Sequence, residues 1–233
     1  MVKFGGMDKR YYICHMTKYL LMKRILFLLA AFFLLALPSC AKKVTVTIDG
    51  TLSPTQTSLY LIVNEDTAHA QRVQIQDARF SVTVTVDRNA FIRLHDYKDW
   101  PERSVFVLIP DSRHITIDWR NGTIEGSPMS SKLQGAIRDV SEASPEGFHI
   151  DVFSDNPEDW ASARESEQRI REMMQQKQLE TIQRVIQENK DNYIPAWIVF
   201  CYYKKVDEPF RHMFDSYRGK WTKHPILKLL KRE

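Results

Sequence analysis

Between residues 44 and 125 apolar and polar side chains alternate with a period of two, the spacing that gives a β-strand one inward and one outward face. Val44, Val46 and Ile48 alternate with Thr45, Thr47 and Asp49, and Gly50 is expected to break the run. Leu59, Leu61 and Val63 form a second run, Val73 and Ile75 a third, and Phe80, Val82, Val84 and Val86 a fourth. Ala90–Leu94, Val105–Ile109 and the set Ile115, Ile117 and Trp119 follow. Asn121-Gly122 marks a hairpin turn, because both residues tolerate positive φ. Seven or eight short strands rich in β-branched residues predict an antiparallel β-sandwich or barrel-like domain over residues 44–126.

The period then lengthens. Ser127-Pro128 reads as an N-cap followed by proline at the first helical position, opening a helix to about Val140. Residues 141–154, with Pro145 and Gly147, read as a loop. A long helix opens at Asp155-Asn156-Pro157-Glu158-Asp159, whose acids complement the helix dipole, and runs to about Lys190. Its apolar stripe is Ile170, Met173, Met174, Ile182, Val185 and Ile186, and its polar face pairs Glu165–Arg169, Glu167–Arg171 and Glu180–Arg184 at i,i+4. Pro195–Lys205, Glu208–Tyr217 and Pro225–Lys231 predict three shorter helices. The chain is therefore α+β, an N-terminal β-domain followed by a helical domain over 127–233.

The first 43 residues follow neither period. Ile25–Leu37 reads ILFLLAAFFLLAL, thirteen apolar residues behind Lys23-Arg24. A helix of that length spans about 20 Å, short of the roughly 30 Å hydrocarbon core of a bilayer, and it suits the core of a signal peptide. The two positive charges favour keeping that end in the cytoplasm. Leu37-Pro38-Ser39-Cys40 closes the run and resembles the lipobox of bacterial lipoproteins. That resemblance implies diacylglycerol on the Cys40 thiol, cleavage before it, and residues 40–43 as the lipidated N-terminus. Residues 1–39 are then signal peptide, with the true start expected at Met22.

Composition changes this picture little. The formal charge of +4 over 233 residues is owed to the leader, where Lys3, Lys9, Arg10, Lys18, Lys23 and Arg24 oppose Asp8 alone, a net of +5 that leaves −1 for the rest. The mature chain is close to neutral, which argues against nucleic acid as a partner. Residues 204–233 hold nine bases and four acids; such a stretch could touch anionic lipid headgroups near the anchor, but a solvated tail is the expectation. Of the three cysteines, Cys14 and Cys40 precede the fold; Cys201 remains, in an apolar helix that predicts a buried, inert thiol, with a free thiol able to form a disulfide with a partner as the alternative. No C-x-x-C pair, nucleophile elbow or glycine-rich phosphate loop is present, and no cofactor is implied.

Other chemistry is sparse. His95, Asp96 and Asp99 cluster in sequence, but zinc needs three or four convergent ligands. His114 and Asp118 lie about 13 Å apart on an extended strand, too far to share an ion. Asp151, Asp155, Glu158 and Asp159 fit capping better than acid–base work. Tyr97 and Trp100, in the loop 97–103, form the aromatic pair best suited to an exposed ligand platform.

Several segments together resemble one family: the N-terminal domain of unknown function in lipid-anchored thiol-disulfide oxidoreductases of a Gram-negative phylum. They are the strand Val44–Gly50, the turn Asp77-Ala78-Arg79-Phe80 in place of D-G-x-F, Ile109-Pro110-Asp111-Ser112 before the strand Ile115-Thr116-Ile117, Gly126-Ser127 before a helix, and Glu188–Pro195. The resemblance implies the architecture and a periplasmic setting. Such proteins continue into a thioredoxin-like domain with C-x-x-C, and this chain reaches Glu233 where that domain would begin, so redox activity is not carried over. Ala41-Lys42-Lys43 lacks the acidic run that resembles surface-export signals, which points to the periplasmic face of the outer membrane.

The expected function is a non-enzymatic, lipid-anchored envelope protein that binds a partner or ligand. Two alternatives remain. One is an accessory, or the truncated N-terminal half, of a thiol-disulfide oxidoreductase working with a separate thioredoxin-like protein; an adjacent reading frame encoding C-x-x-C would favour it. The other is a surface glycan-binding lipoprotein built around Trp100.

Overall fold

The computed structural model describes residues 43–53, 56–95, 106–151, 153–154, 156–205 and 208–231. Residues 43–233 form one compact unit. Its strands are β1 (Lys43–Thr51), β2 (Tyr60–Val63), β3 (Gln71–Arg72), β4 (Ile75–Gln76), β5 (Arg79–Asp87), β6 (Ile92–His95), β7 (Phe106–Leu108), β8 (His114–Asp118) and β9 (Thr123–Glu125). The helices are α1 (Pro128–Glu142), α2 (Pro157–Glu188), α3 (Ile194–Tyr202) and α4 (Glu208–Ser216), followed by 3₁₀ turns at Lys220–Lys223 and Pro225–Lys231. The chain is α+β, with β-strands first and helices second.

The strands form two sheets, β4-β5-β1-β8-β9 and β3-β2-β6-β7. Their inner faces meet in one apolar core that includes Val46, Ile48, Phe80, Val82, Leu61, Leu94, Phe106 and Ile115. This is the β-sandwich the alternation predicts, with one exception to its antiparallel pairing. β1 and β8 run parallel, Ile48 opposite Ile115. They are far apart in sequence, and the chain between them builds the second sheet, so a tight hairpin does not dictate their direction.

In the four-stranded sheet, β6 and β7 are buried on both sides. Ile92, Leu94, Phe106 and Leu108 face the other sheet, while Phe91, Val107 and Ile109 join a second core made by the helices. That core holds Leu133, Val140, Leu179, Ile182, Trp197, Phe214, Trp221 and Ile226. The predicted tail is thus folded. Trp221 and Ile226 anchor it and leave Lys220, Lys223 and Lys228 outside. A composition count missed this because Phe214, Trp221, His224 and Ile226, the buried residues described there, are outnumbered by charges.

α1 begins where the sequence indicates. Ser127 is the N-cap and its Oγ accepts from the Ser130 N–H. Asp111 extends the cap by accepting from the Met129 N–H at 2.9 Å. Caps of this kind contribute about 1 kcal/mol each. α2 is capped by Asn156, one residue after the expected Asp155, which lies outside the described residues. Only part of its predicted stripe is packed: Ile182, Val185 and Ile186 are buried, whereas Met173 is 65% exposed. Glu165–Arg169 and Glu167–Arg171 pair as expected. Arg184 instead meets Asp139 and Glu188.

Gly50 does not end β1; the strand continues to Thr51. A Cβ at Gly50 would lie 2.5 Å from Phe80 Cε1 and 2.8 Å from the Ile117 carbonyl oxygen. Glycine is therefore required for close approach, not as a breaker. Gly50→Ala is expected to cost about 1–3 kcal/mol by overpacking, read as a lower urea midpoint; an unchanged midpoint would show that Phe80 yields freely.

Asp77 and Ala78 connect β4 to β5 with φ of 51° and 56°, the left-handed pair that a type I′ hairpin turn requires. An alanine there carries strain of about 1–2 kcal/mol. Ala78→Gly releases it and returns part through unfolded-chain entropy. We expect a net stabilisation of about 0.5–1 kcal/mol, seen as a higher thermal midpoint; a decrease would contradict the turn geometry.

Candidate functional site

The outer face of the five-stranded sheet is polar throughout. Thr45 and Thr85 hydroxyls meet across the β1–β5 ladder at 2.9 Å, and Thr47 and Thr83 at 3.1 Å. Further along the ladder Asp49 lies opposite Ser81, and Thr51 opposite Arg79. On the other side of β1, Asp49 lies opposite Thr116 and Thr51 opposite Asp118. Period-two alternation is the cause: the residues that put Val46, Ile48 and Val82 inside put these outside.

At the end of the sheet marked by Thr51 and Asp118, this face runs into an open groove of about 1650 Å³. Gln74–Asp77 forms one wall, and Asp118, Thr123 and Glu125 line the opposite side. The groove carries Asp49, Asp77, Asp118 and Glu125 against Arg72 and Arg79. It offers hydroxyl and carboxylate acceptors with a surplus of negative charge, suited to a polar or cationic ligand. Its aromatic residue, Phe80, is turned into the core and is 5% exposed.

Hydrogen bonds position two of these acids. His114 Nε2 lies 3.1 Å from Asp49 Oδ2. The N–H groups of Asn121 and Arg120 and the Asn121 amide hold the Asp118 carboxyl below the usual carboxylate range. Ser81 and His114 flank Asp49 from opposite strands, which places the carboxylate between hydroxyl and imidazole. Activation of a serine requires the imidazole in the middle.

A second polar cluster lies under the helices. Arg93, 2% exposed, is ion-paired through Nε to Glu65 Oε1 at 2.8 Å. Burial lifts the Glu65 carboxyl above its ordinary range, outweighing the opposing pull of Arg93. His95, next along the same face of β6, is fully buried. Cys201 is half-buried rather than fully buried as expected, packed at the edge of the helical core; its thiol is pushed up to about 12, chiefly by desolvation, with the field of Glu65 and Arg93 also reaching it. It is un-ionised at neutral pH and poorly nucleophilic.

The remaining sequence candidates separate. Cys40, Tyr97, Trp100, Asp96, Asp99 and Asp155 lie outside the described residues. Glu158 sits in the first turn of α2, and Asp159 there accepts from Ser154 Oγ at 2.5 Å. Asp151 approaches His149 at 3.7 Å on the surface. Trp119 packs edge-on against Phe106 at 5.0 Å, Trp197 and Trp221 are core, and Trp160 is 45% exposed. The groove and the Glu65–Arg93 pair were not singled out from sequence. The pair's signal was a lone arginine inside the apolar run Phe91-Ile92-Arg93-Leu94; the groove's was the unbroken polar phase of β1, β5 and β8. No protein-family model matches the chain, and no curated protein matches it.

Proposed function

We propose that the chain is the precursor of a lipid-anchored cell-envelope protein, on the periplasmic face of the outer membrane, whose mature part binds a polar ligand or partner and performs no catalysis. The observation that carries this reading is the run Ile25–Leu37 behind Lys23-Arg24, too short to span comfortably and closing on Leu37-Pro38-Ser39-Cys40. One acyl chain binds a membrane marginally, whereas two or three on one residue make a lasting anchor. Strand β1, the first element described, starts at Lys43, three positions beyond Cys40. The polar groove is the candidate recognition surface, because it joins convergent acceptors to positioned carboxylates.

Metabolic labelling with a radioactive fatty acid in the native host tests the anchor. The wild-type protein should take up label and fractionate with membranes. Cys40→Ser should abolish the label and leave the leader uncleaved. Label retained by Cys40→Ser would remove the reading.

A further inference from the structure

The sandwich has two distinct ends. At one, β1 begins at Lys43, opposite Asp87 at the end of β5. The β5–β6 turn follows, closed by the Ala90 N–H donating to the Asp87 carbonyl at 2.9 Å. Its Arg88 is exposed. The C-terminal 3₁₀ turns dock on that same turn. His224 Nε2 hydrogen-bonds the Asn89 carbonyl, and the His224 ring lies 4.8 Å from that of Phe91.

This docking orients a set of charges. Residues 218–231 contain Arg218, Lys220, Lys223, Lys228 and Lys231, and no acid. Trp221, His224 and Ile226 point into the core, and Lys220, Lys223 and Lys228, beside and between them, are left exposed. Of the acids at this end, Asp66 bonds His69 at 2.8 Å and Asp111 caps α1, while Asp87, opposite Lys43 in the β1–β5 ladder, and Asp191, next to the Lys190 carbonyl that approaches Gly219, are exposed and fewer than the bases around them. The polar groove, with its excess of carboxylates, begins at the other end, where Thr51 pairs with Arg79 and Asp118.

We propose that the end formed by Lys43, Arg88 and the C-terminal turns is a basic face that rests on an anionic bilayer surface and points the groove away from it. The proposal rests on lipidation at Cys40. Three residues of chain span at most about 10 Å, which brings the start of β1 to the headgroups, within about one Debye length of them at physiological salt. There each lysine strengthens attraction to anionic lipid by about fivefold. The acidic groove would be repelled by the same surface, so both ends favour one orientation.

The test uses residues 41–233, which contain the whole compact unit and carry no acyl chain, with cosedimentation on vesicles at low salt. Vesicles of phosphatidylcholine with about one-third phosphatidylglycerol should retain the protein, and pure phosphatidylcholine should not. Retention should fall as salt rises, because exposed charges are screened. Lys220→Glu/Lys223→Glu/Lys228→Glu should weaken binding by about a hundredfold or more, with an unchanged circular dichroism spectrum. Arg72→Glu/Arg79→Glu, at the groove, should leave binding unaltered. Absence of binding to the anionic vesicles, or equal loss from the two variants, would overturn the proposal. These outcomes do not depend on lipidation: an unmodified Cys40 in the native protein beside intact vesicle binding would sink the anchor alone.

Discussion

Arg93→Ala is expected to destabilise the protein by about 3–5 kcal/mol, the cost of stranding a buried charge. The guanidinium is 2% exposed and its partner Glu65 is 12% exposed, so water reaches neither well enough to replace the other. The loss should depend on pH. Burial already holds the Glu65 carboxyl above its ordinary range, against the pull of Arg93. Without that pull it rises further. A carboxyl raised in the folded state costs least when protonated, so its penalty is absent below the unfolded value near 4.5 and grows as pH rises through the folded value. The destabilisation by Arg93→Ala should therefore shrink as the pH is lowered from 7 towards 5. Urea unfolding at several pH values checks it. A loss below about 1 kcal/mol, or one independent of pH, would show that the pair is solvated.

Trp221→Ala should cost a similar amount, about 3–5 kcal/mol, as expected for a large aromatic removed from a core. Trp221 is 2% exposed, packs 6.0 Å from Tyr217 and belongs to the cluster with Trp197 and Ile226. For a protein of this size the thermal midpoint should fall by roughly 10 °C or more. A solvated tail would instead tolerate the change within about 0.5 kcal/mol. Differential scanning calorimetry separates the two descriptions of residues 218–231.

The sheets were legible in the sequence because one face of each strand had to be buried, and alternation reports that directly. Helix starts were legible for a local reason: Ser127-Pro128 and Asn156-Pro157 carry their own capping chemistry. What escaped were long-range matters. Gly50 looked like a breaker, since its requirement is set by Phe80 and Ile117 on the neighbouring strands. The parallel β1–β8 pair has no local signature. Burial of the basic C-terminus depends on Phe91 and Trp197, which a window around Lys220 does not contain. The groove shares this character, being assembled from β1, β5, β8 and the Gln74–Asp77 segment.

The account depends most on the chain being cut and acylated at Cys40. Intact mass spectrometry of the protein extracted from native membranes measures this directly. The account predicts a polypeptide beginning at Cys40, with added mass equal to diacylglycerol and, where the new amine is acylated, a further fatty acid. A chain that retains Ile25–Leu37, or one beginning elsewhere with an unmodified thiol, would contradict it.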